Sequence, residues 1–209
     1  GICVALDLNK KDKILEMIEL MAPHIGIFKL HCDIIDDFDD IFIKQLLELK
    51  KKYNFFIWED RKFSDIGYIC EQQLHKGLHK ISTWSDIVSF HSTCGYKSIP
   101  VVNNLYIFLV VELSVSNHLC DINYISKSIE IANTHPNIIG VVCQHKPIKL
   151  NKNILIVVPG ISLTKTVDSY NQQYKSIEHK QFGDIYVIGR SITQNKNPIE
   201  IINKYKQSI

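Results

Sequence analysis

The sequence predicts an α/β fold, a parallel (β/α)8 TIM barrel made as a single domain over residues 1–209. Three observations predict it. Short apolar runs rich in β-branched residues recur along the whole chain and read as strands buried on both faces. Between them lie stretches with apolar residues at i, i+3 and i+4, the pattern of crossover helices packing on a sheet. The turn after the first run, Asp7-Leu8-Asn9-Lys10, lacks the G-x-G-x-x-G of a doubly wound nucleotide-binding sheet, the main competitor.

The first unit is a strand over Ile2–Leu6 and a helix over Lys10–Met21, with Leu15 and Ile18 on its apolar face. A strand at Gly26–Leu30 leads to a helix at Asp39–Lys52, where Leu46 and Leu49 face the sheet. Its end, Lys50-Lys51-Lys52, puts cations where the helix dipole favours them. Phe55–Trp58 and Asp65–Lys80 form the third strand and helix. Asp86–Phe90 is the fourth strand, but the segment up to the fifth, Leu105–Val111, is only weakly helical, so a shortened fourth helix is expected. Asp121–Thr134 is a helix and Ile138–Cys143 the sixth strand, followed by another weak crossover. Ile154–Val158, a helix at Ser169–Lys180, a strand at Asp184–Ile188 and a helix at Pro198–Ser208 complete the pattern, with Pro198 suited to a first helical turn.

Composition narrows the function classes. A hydrophobic content of 45% with 22% charged residues is that of a soluble globular domain rather than a disordered chain. A net charge of +2, with no long basic run, argues against a nucleic-acid partner. The longest apolar stretches fall far short of the ~20 residues that cross a bilayer, so no membrane association is expected. Six cysteines are scattered without a C-x-x-C pair or zinc spacing, which suggests free thiols in a reducing compartment, hence the cytoplasm.

The most informative segment is Trp58-Glu59-Asp60-Arg61-Lys62-Phe63-Ser64-Asp65-Ile66-Gly67. Its Asp-x-Lys-x-x-Asp spacing follows an apolar strand, and strand alternation sends Asp60 and Lys62 to one side. Ions are not buried without partners, and α/β barrels do their chemistry at the carboxyl ends of strands. In a barrel the other strand ends add Asp7, Lys29 with His31, His91, Glu112 with Ser114, Gln144, Pro159-Gly160 and Gly189-Arg190 to the same mouth. Arginine occurs only at Arg61 and Arg190, and Arg190 falls in the loop after strand eight, a common phosphate site of this architecture. Its planar fork suits a phosphate, and Gly189 before it allows close backbone approach.

These blocks, with Ile2-Cys3-Val4-Ala5-Leu6-Asp7, Lys29-Leu30-His31-Cys32-Asp33-Ile34, Trp84-Ser85-Asp86, Glu112-Leu113-Ser114, Pro159-Gly160-Ile161, Gln172-Gln173-Tyr174 and Val187-Ile188-Gly189-Arg190, resemble the orotidine 5′-monophosphate decarboxylase family, its eukaryotic branch in particular. The resemblance implies decarboxylation of orotidine 5′-monophosphate (OMP) to UMP in pyrimidine synthesis, with no metal or organic cofactor. It implies a catalytic array of Lys29, Asp60, Lys62 and Asp65, with Lys62 protonating C6 and Asp65 reaching the partner's site in a homodimer. Asp7 and Lys29 would bind ribose, with His31 behind them. Ser114 would meet the pyrimidine, while Pro159, Gln172, Tyr174, Gly189 and Arg190 would line the nucleotide and phosphate site. Departures from the family pattern are Tyr68 and Ile69 in place of Asn-Thr, Asn117 and Ser191 in place of glycines, and a shorter segment between His91 and Glu112. They leave open a weakened relative kept as a nucleotide-binding or interaction scaffold. A Mg2+-dependent sugar-phosphate relative, which shares Asp-x-Lys-x-x-Asp, is the third reading.

Overall fold

A computed structural model describes residues 1–163, 168, 171–177 and 182–209. Eight parallel strands close into a barrel in the order β1-β2-β3-β4-β5-β6-β7-β8. They are β1 (Ile2–Ala5), β2 (Ile27–Leu30), β3 (Phe56–Phe63), β4 (Ile87–His91), β5 (Tyr106–Val110), β6 (Ile138–Val142), β7 (Leu155–Val158) and β8 (Ile185–Ile188). The seam between β1 and β8 pairs Cys3 with Val187 and Val4 with Ile188. The helices are α1 (Lys11–Met21), α2 (Asp40–Tyr53), α3 (Gly67–His75), α4 (Ile122–Thr134), the short α5 (Arg190–Thr193) and α6 (Pro198–Gln207).

Strand alternation sorts the apolar side chains into two cores. Cys3, Ala5, Trp58, Phe108, Val142 and Val157 fill the bore, with Trp58 and Phe108 packed edge to face at 4.9 Å. Ile2, Val4, Phe28, Leu30 and Ile57 turn outward into the larger layer beneath the helices, against Ile14, Ile18, Phe42 and Leu46. Helix starts follow local chemistry. Asp39 and Asp121 cap α2 and α4 by accepting from the Phe42 and Tyr124 amides, and Pro198 opens α6.

The fourth crossover carries only a 3-10 turn at Tyr96–Ser98, and no helix joins β6 to β7, as the weak periodicity in both places predicts. Three expectations need correction. β3 runs on to Phe63 instead of ending at Trp58, because a bulge between Glu59 and Phe63 lets it continue. The helix after it covers Gly67–His75 rather than Asp65–Lys80, and it ends before Gly77, whose φ is +70°. The helix expected at Ser169–Lys180 is absent over residues 171–175, where Gln172 and Lys175 form bridges with Val115 and Ile161; most of the remaining span lies outside the described residues.

Candidate active site

At the carboxyl end of the barrel lies a cavity of about 690 Å3. Inward-facing positions near the ends of β2 and β3 supply its charges. Lys29 and Asp60 are both buried, and Lys29 Nζ lies 3.2 Å from Asp60 Oδ2 and 3.0 Å from Asp7 Oδ1. Lys62 Nζ approaches Asp60 Oδ2 at 2.7 Å, so one carboxylate oxygen sits between two ammonium groups. His31 Nε2 adds a contact of 2.9 Å to Lys29 Nζ and one of 3.4 Å to Asp60 Oδ2. Alternation foretold the meeting of Asp60 and Lys62, but the route differs. Lys62 lies in the bulge with φ +60°, which folds its ammonium back over Asp60, where it also donates to the backbone carbonyl.

The electrostatics follow from this packing. Burial alone would raise the Asp60 carboxyl, yet Lys29, Lys62 and the His31 contact reverse that and hold it well below its ordinary 3.8. Burial would likewise lower the Lys29 ammonium, and Asp60 and Asp7 overcome it and push it upward. Desolvation is the largest influence on His91 and Lys62 the next, and both keep its imidazole below the ordinary 6.5. His91 does not line the cavity. Glu59, one residue before Asp60, points to the other face of β3, into the layer beneath the helices. Burial pushes its carboxyl up to about 8, although Oε2 accepts the Cys32 amide at 2.9 Å.

Two contributors escape a reading of the sequence. Ser89 on β4 donates to Asp60 Oδ1 at 2.6 Å and accepts from Trp58 Nε1 at 2.8 Å, fixing the carboxylate from below. Their strand positions could have placed them in the bore, but nothing in the residue types announces the relay. The second is Asp168. At the other side of the cavity Arg190 Nη2 donates to Gln172 Oε1 at 3.0 Å, to Tyr174 Oη and to Asp168 Oδ2. Tyr174 in turn donates to Gln172 Oε1 at 2.8 Å, and Gln172 Nε2 reaches Ser114 Oγ at 3.4 Å.

The expected residues Asp7, Lys29, His31, Asp60 and Lys62 therefore share one cavity with Ser114, Pro159, Gln172, Tyr174, Gly189 and Arg190. Asp65 does not. It is exposed, its Oδ1 accepts the Ile66 amide at 2.7 Å, and it stands outside the cavity of its own chain. Glu112 and Gln144 serve a joining role: Glu112 accepts the Gln144 and His145 amides at 2.9 Å each and His145 Nδ1 at 2.9 Å, tying the end of β5 to the loop after β6.

Comparison with known proteins agrees with this architecture. A profile of the Orotidine 5′-phosphate decarboxylase / HUMPS family matches residues 1–205. The orotidine 5′-phosphate decarboxylase of Rhizomucor pusillus is 32% identical over 220 residues, covering 100% of this chain and 84% of that protein. That of Schizosaccharomyces pombe is 30% identical over 219 residues, with coverage of 100% and 83%. Among solved structures, the orotidine 5′-phosphate decarboxylase of Pyrococcus horikoshii superposes with a TM-score of 0.75 at 23% identity, over 100% of this chain and 99% of that one. The Methanocaldococcus jannaschii orotidine 5′-monophosphate decarboxylase, complexed with the inhibitor BMP, gives 0.69 at 20% identity, over 99% and 97%. These two likenesses share the fold. With the profile matched nearly end to end and relatives 32% and 30% identical over the whole of this chain, the chain belongs to the Orotidine 5′-phosphate decarboxylase / HUMPS family.

Proposed function

We propose that the protein decarboxylates orotidine 5′-monophosphate to UMP, and that Lys62 protonates C6. The observation that carries this reading is the buried Lys29–Asp60–Lys62 array in a cavity whose other side holds Arg190, Gln172 and Tyr174. The reaction breaks the bond between C6 and the carboxylate. CO2 departs, and the electron pair stays at C6 in the plane of the ring, orthogonal to the π system and so not spread by it. Fixed charge must then lower the barrier. The Lys62 ammonium faces that carbon, stabilises the developing charge and delivers its proton, which solvent later restores. Asp60 orients Lys62 and stands near the departing carboxylate.

Arg190, Gln172 and Tyr174 hold the phosphate, Asp7 and Lys29 the ribose, and Ser114 the pyrimidine edge, with Pro159 and Gly189 as apolar and backbone walls. Binding free energy gathered on the phosphate thereby supports chemistry at the far end of the ligand. Asp65 completes the array from the other subunit of a homodimer, which accounts for its place outside its own cavity. The charges and the proton come from side chains, so the step requires no metal or organic cofactor. The reading makes the protein an enzyme of pyrimidine nucleotide synthesis acting in the cytoplasm; among the described residues no helix is long and apolar enough to cross a membrane.

The test is direct. Purified protein mixed with OMP should extinguish the orotate absorbance and release one CO2 per UMP formed, with a chelator having no effect. Absence of turnover at micromolar enzyme would overturn the assignment and favour a nucleotide-binding scaffold. Turnover of a sugar phosphate that stops with chelator would favour the Mg2+-dependent branch.

A further inference from the structure

Behind the charged mouth, in the layer between barrel and helices, Cys32, Asp33 and His79 offer a sulfur, a carboxylate oxygen and a ring nitrogen, all within 4.8 Å of one another. Cys32 is fully buried, Asp33 reaches solvent, and the His79 ring is held edge to face by Phe38 at 4.7 Å. Asp33 Oδ1 lies 3.7 Å from Cys32 Sγ and 3.5 Å from His79 Nε2. Zinc bonds of about 2.3 Å to sulfur and about 2.0 Å to nitrogen or oxygen, at tetrahedral angles, separate such ligands by roughly 3.3–3.5 Å. Two of the three pairs already stand close to that spacing, and the third lies within 4.8 Å.

A second observation is independent of the cluster's composition. The two buried side-chain atoms that lack a hydrogen-bond partner among the described residues are Glu59 Oε1 and His79 Nδ1. One belongs to the cluster and the other adjoins it, for Glu59 accepts the Cys32 amide through Oε2 and its carboxyl lies against the Cys32 thiol. Buried polar atoms without partners are rare in folded proteins and call for a cause. Glu59 Oε1 adjoins the cluster, and in His79 the nitrogen nearer Asp33 is Nε2, which is the one the ring offers to it.

We infer that Cys32, Asp33 and His79 form a three-ligand binding site for a divalent cation of the zinc class, with water in the remaining position. Thiolate and imidazole suit Zn2+ and its surrogate Co2+ and do not suit Mg2+ or Ca2+. The Cys32 proton passes to water as the sulfur–metal bond forms. Arg61 Nη1, which donates to Asp33 Oδ1 at 2.7 Å, swings outward along the solvent path that its side chain already meets. Cys32 and Asp33 follow His31. A bound cation therefore ties the end of β2 to the segment that carries His79, outside the cavity and apart from the decarboxylation chemistry.

Cobalt provides the readout. The full chain, stripped with chelator, is titrated with Co2+ and followed by its visible d–d bands and its near-ultraviolet thiolate charge-transfer band. One Co2+ per chain, a thiolate band and displacement of both by Zn2+ are expected. Cys32→Ser should lose the thiolate band, and His79→Phe, which keeps the ring packed on Phe38, should weaken binding at least tenfold. Cys94→Ser, at an exposed thiol remote from the cluster, should leave both unchanged. Circular dichroism and UMP binding report whether each variant is folded. Absence of a thiolate band in the wild-type protein would by itself overturn the site. So would a band that survives in Cys32→Ser, or affinity unaltered in folded His79→Phe.

Discussion

Lys62 is held in the left-handed backbone region at φ +60°, where a residue with a Cβ is strained by about 1–2 kcal/mol. The strain is tolerated because the bulged end of β3 is gripped on both sides. Lys62 meets Asp60, and Asp60 is in turn fixed by Ser89 and Lys29. Removing the ammonium should act on chemistry far more than on ligand capture. Lys62→Ala is expected to lower turnover by at least about 10^3-fold, close to 4 kcal/mol of transition-state stabilisation, while UMP affinity stays within a few-fold. Stopped-flow decarboxylation and calorimetric titration with UMP measure the two effects; near-normal turnover would remove Lys62 as the proton donor. The opposite-charge pair was legible in the Asp-x-Lys spacing. The bulge was not, because it arises where β3 fits its neighbour β4, and no residue type in the strand signals it.

Elements converge above the cavity through the segment at residues 171–175. It lies between the loop after β5 and the loop after β7: the Gln173 amide donates to the Ser114 carbonyl at 2.8 Å, and the Lys175 amide to the Gly160 carbonyl at 2.9 Å. Gly160 is indispensable at this junction, since its φ is +71° and an added Cβ would come within 2.6 Å of the Gln173 carbonyl oxygen. Gly160→Ala should therefore displace Gln172 and Tyr174, raise the KM for OMP roughly tenfold (about 1.4 kcal/mol) and lower kcat less. An unchanged KM would show that this junction does not position the Arg190 cluster. The sequence suggested a helix here from local apolar spacing. Pairing with chain about 10 to 60 residues away overrode that local preference.

Helix α4 ends on a pH-dependent contact. His135 is buried, its Nε2 donates to the Ile99 carbonyl at 3.1 Å, and its Nδ1 accepts the Asn137 amide at 3.3 Å. A second ring proton would face that amide. Desolvation keeps the imidazole below the ordinary 6.5, against a smaller upward pull from the Ile99 bond. The unfolded chain then takes up this proton more readily than the folded one, so the stabilisation is complete above about pH 6.5 and is lost as pH falls through the folded value. The melting temperature of the wild type should drop between pH 7.5 and 5 by more than that of His135→Gln. Equal drops would dismiss this contact as a source of the dependence.

At the scale of the whole molecule, the barrel was readable because eight apolar runs repeat in register with their crossovers, and even the two missing helices announced themselves as weak periodicity. Quaternary structure is written less plainly. Exposed Ile66 and Tyr68 follow Asp65 at 61% and 69% exposure, an apolar setting for a carboxylate that does not serve its own cavity. If the sites are shared, mixing inactive Lys62→Ala and Asp65→Ala proteins should restore roughly a quarter of wild-type activity, since half of the reassorted dimers carry one intact site of two. No recovery after verified subunit exchange would place Asp65 outside the partner's chemistry.

The seam between β1 and β8 has a kinetic meaning. Ile2–Ala5 is the first of the eight barrel strands to be made, and its outer edge finds its mate only when Ile185–Ile188 exists, after Tyr186 can donate to the Gly1 carbonyl. At about 5–20 residues per second, the ribosome leaves that edge bare for roughly 10–40 s. An unpaired apolar edge is a template for mispairing with other chains. The cylinder thus has a vulnerable interval during its own synthesis, and a nascent-chain binding factor that shields Ile2–Ala5 would raise its yield without altering the finished protein.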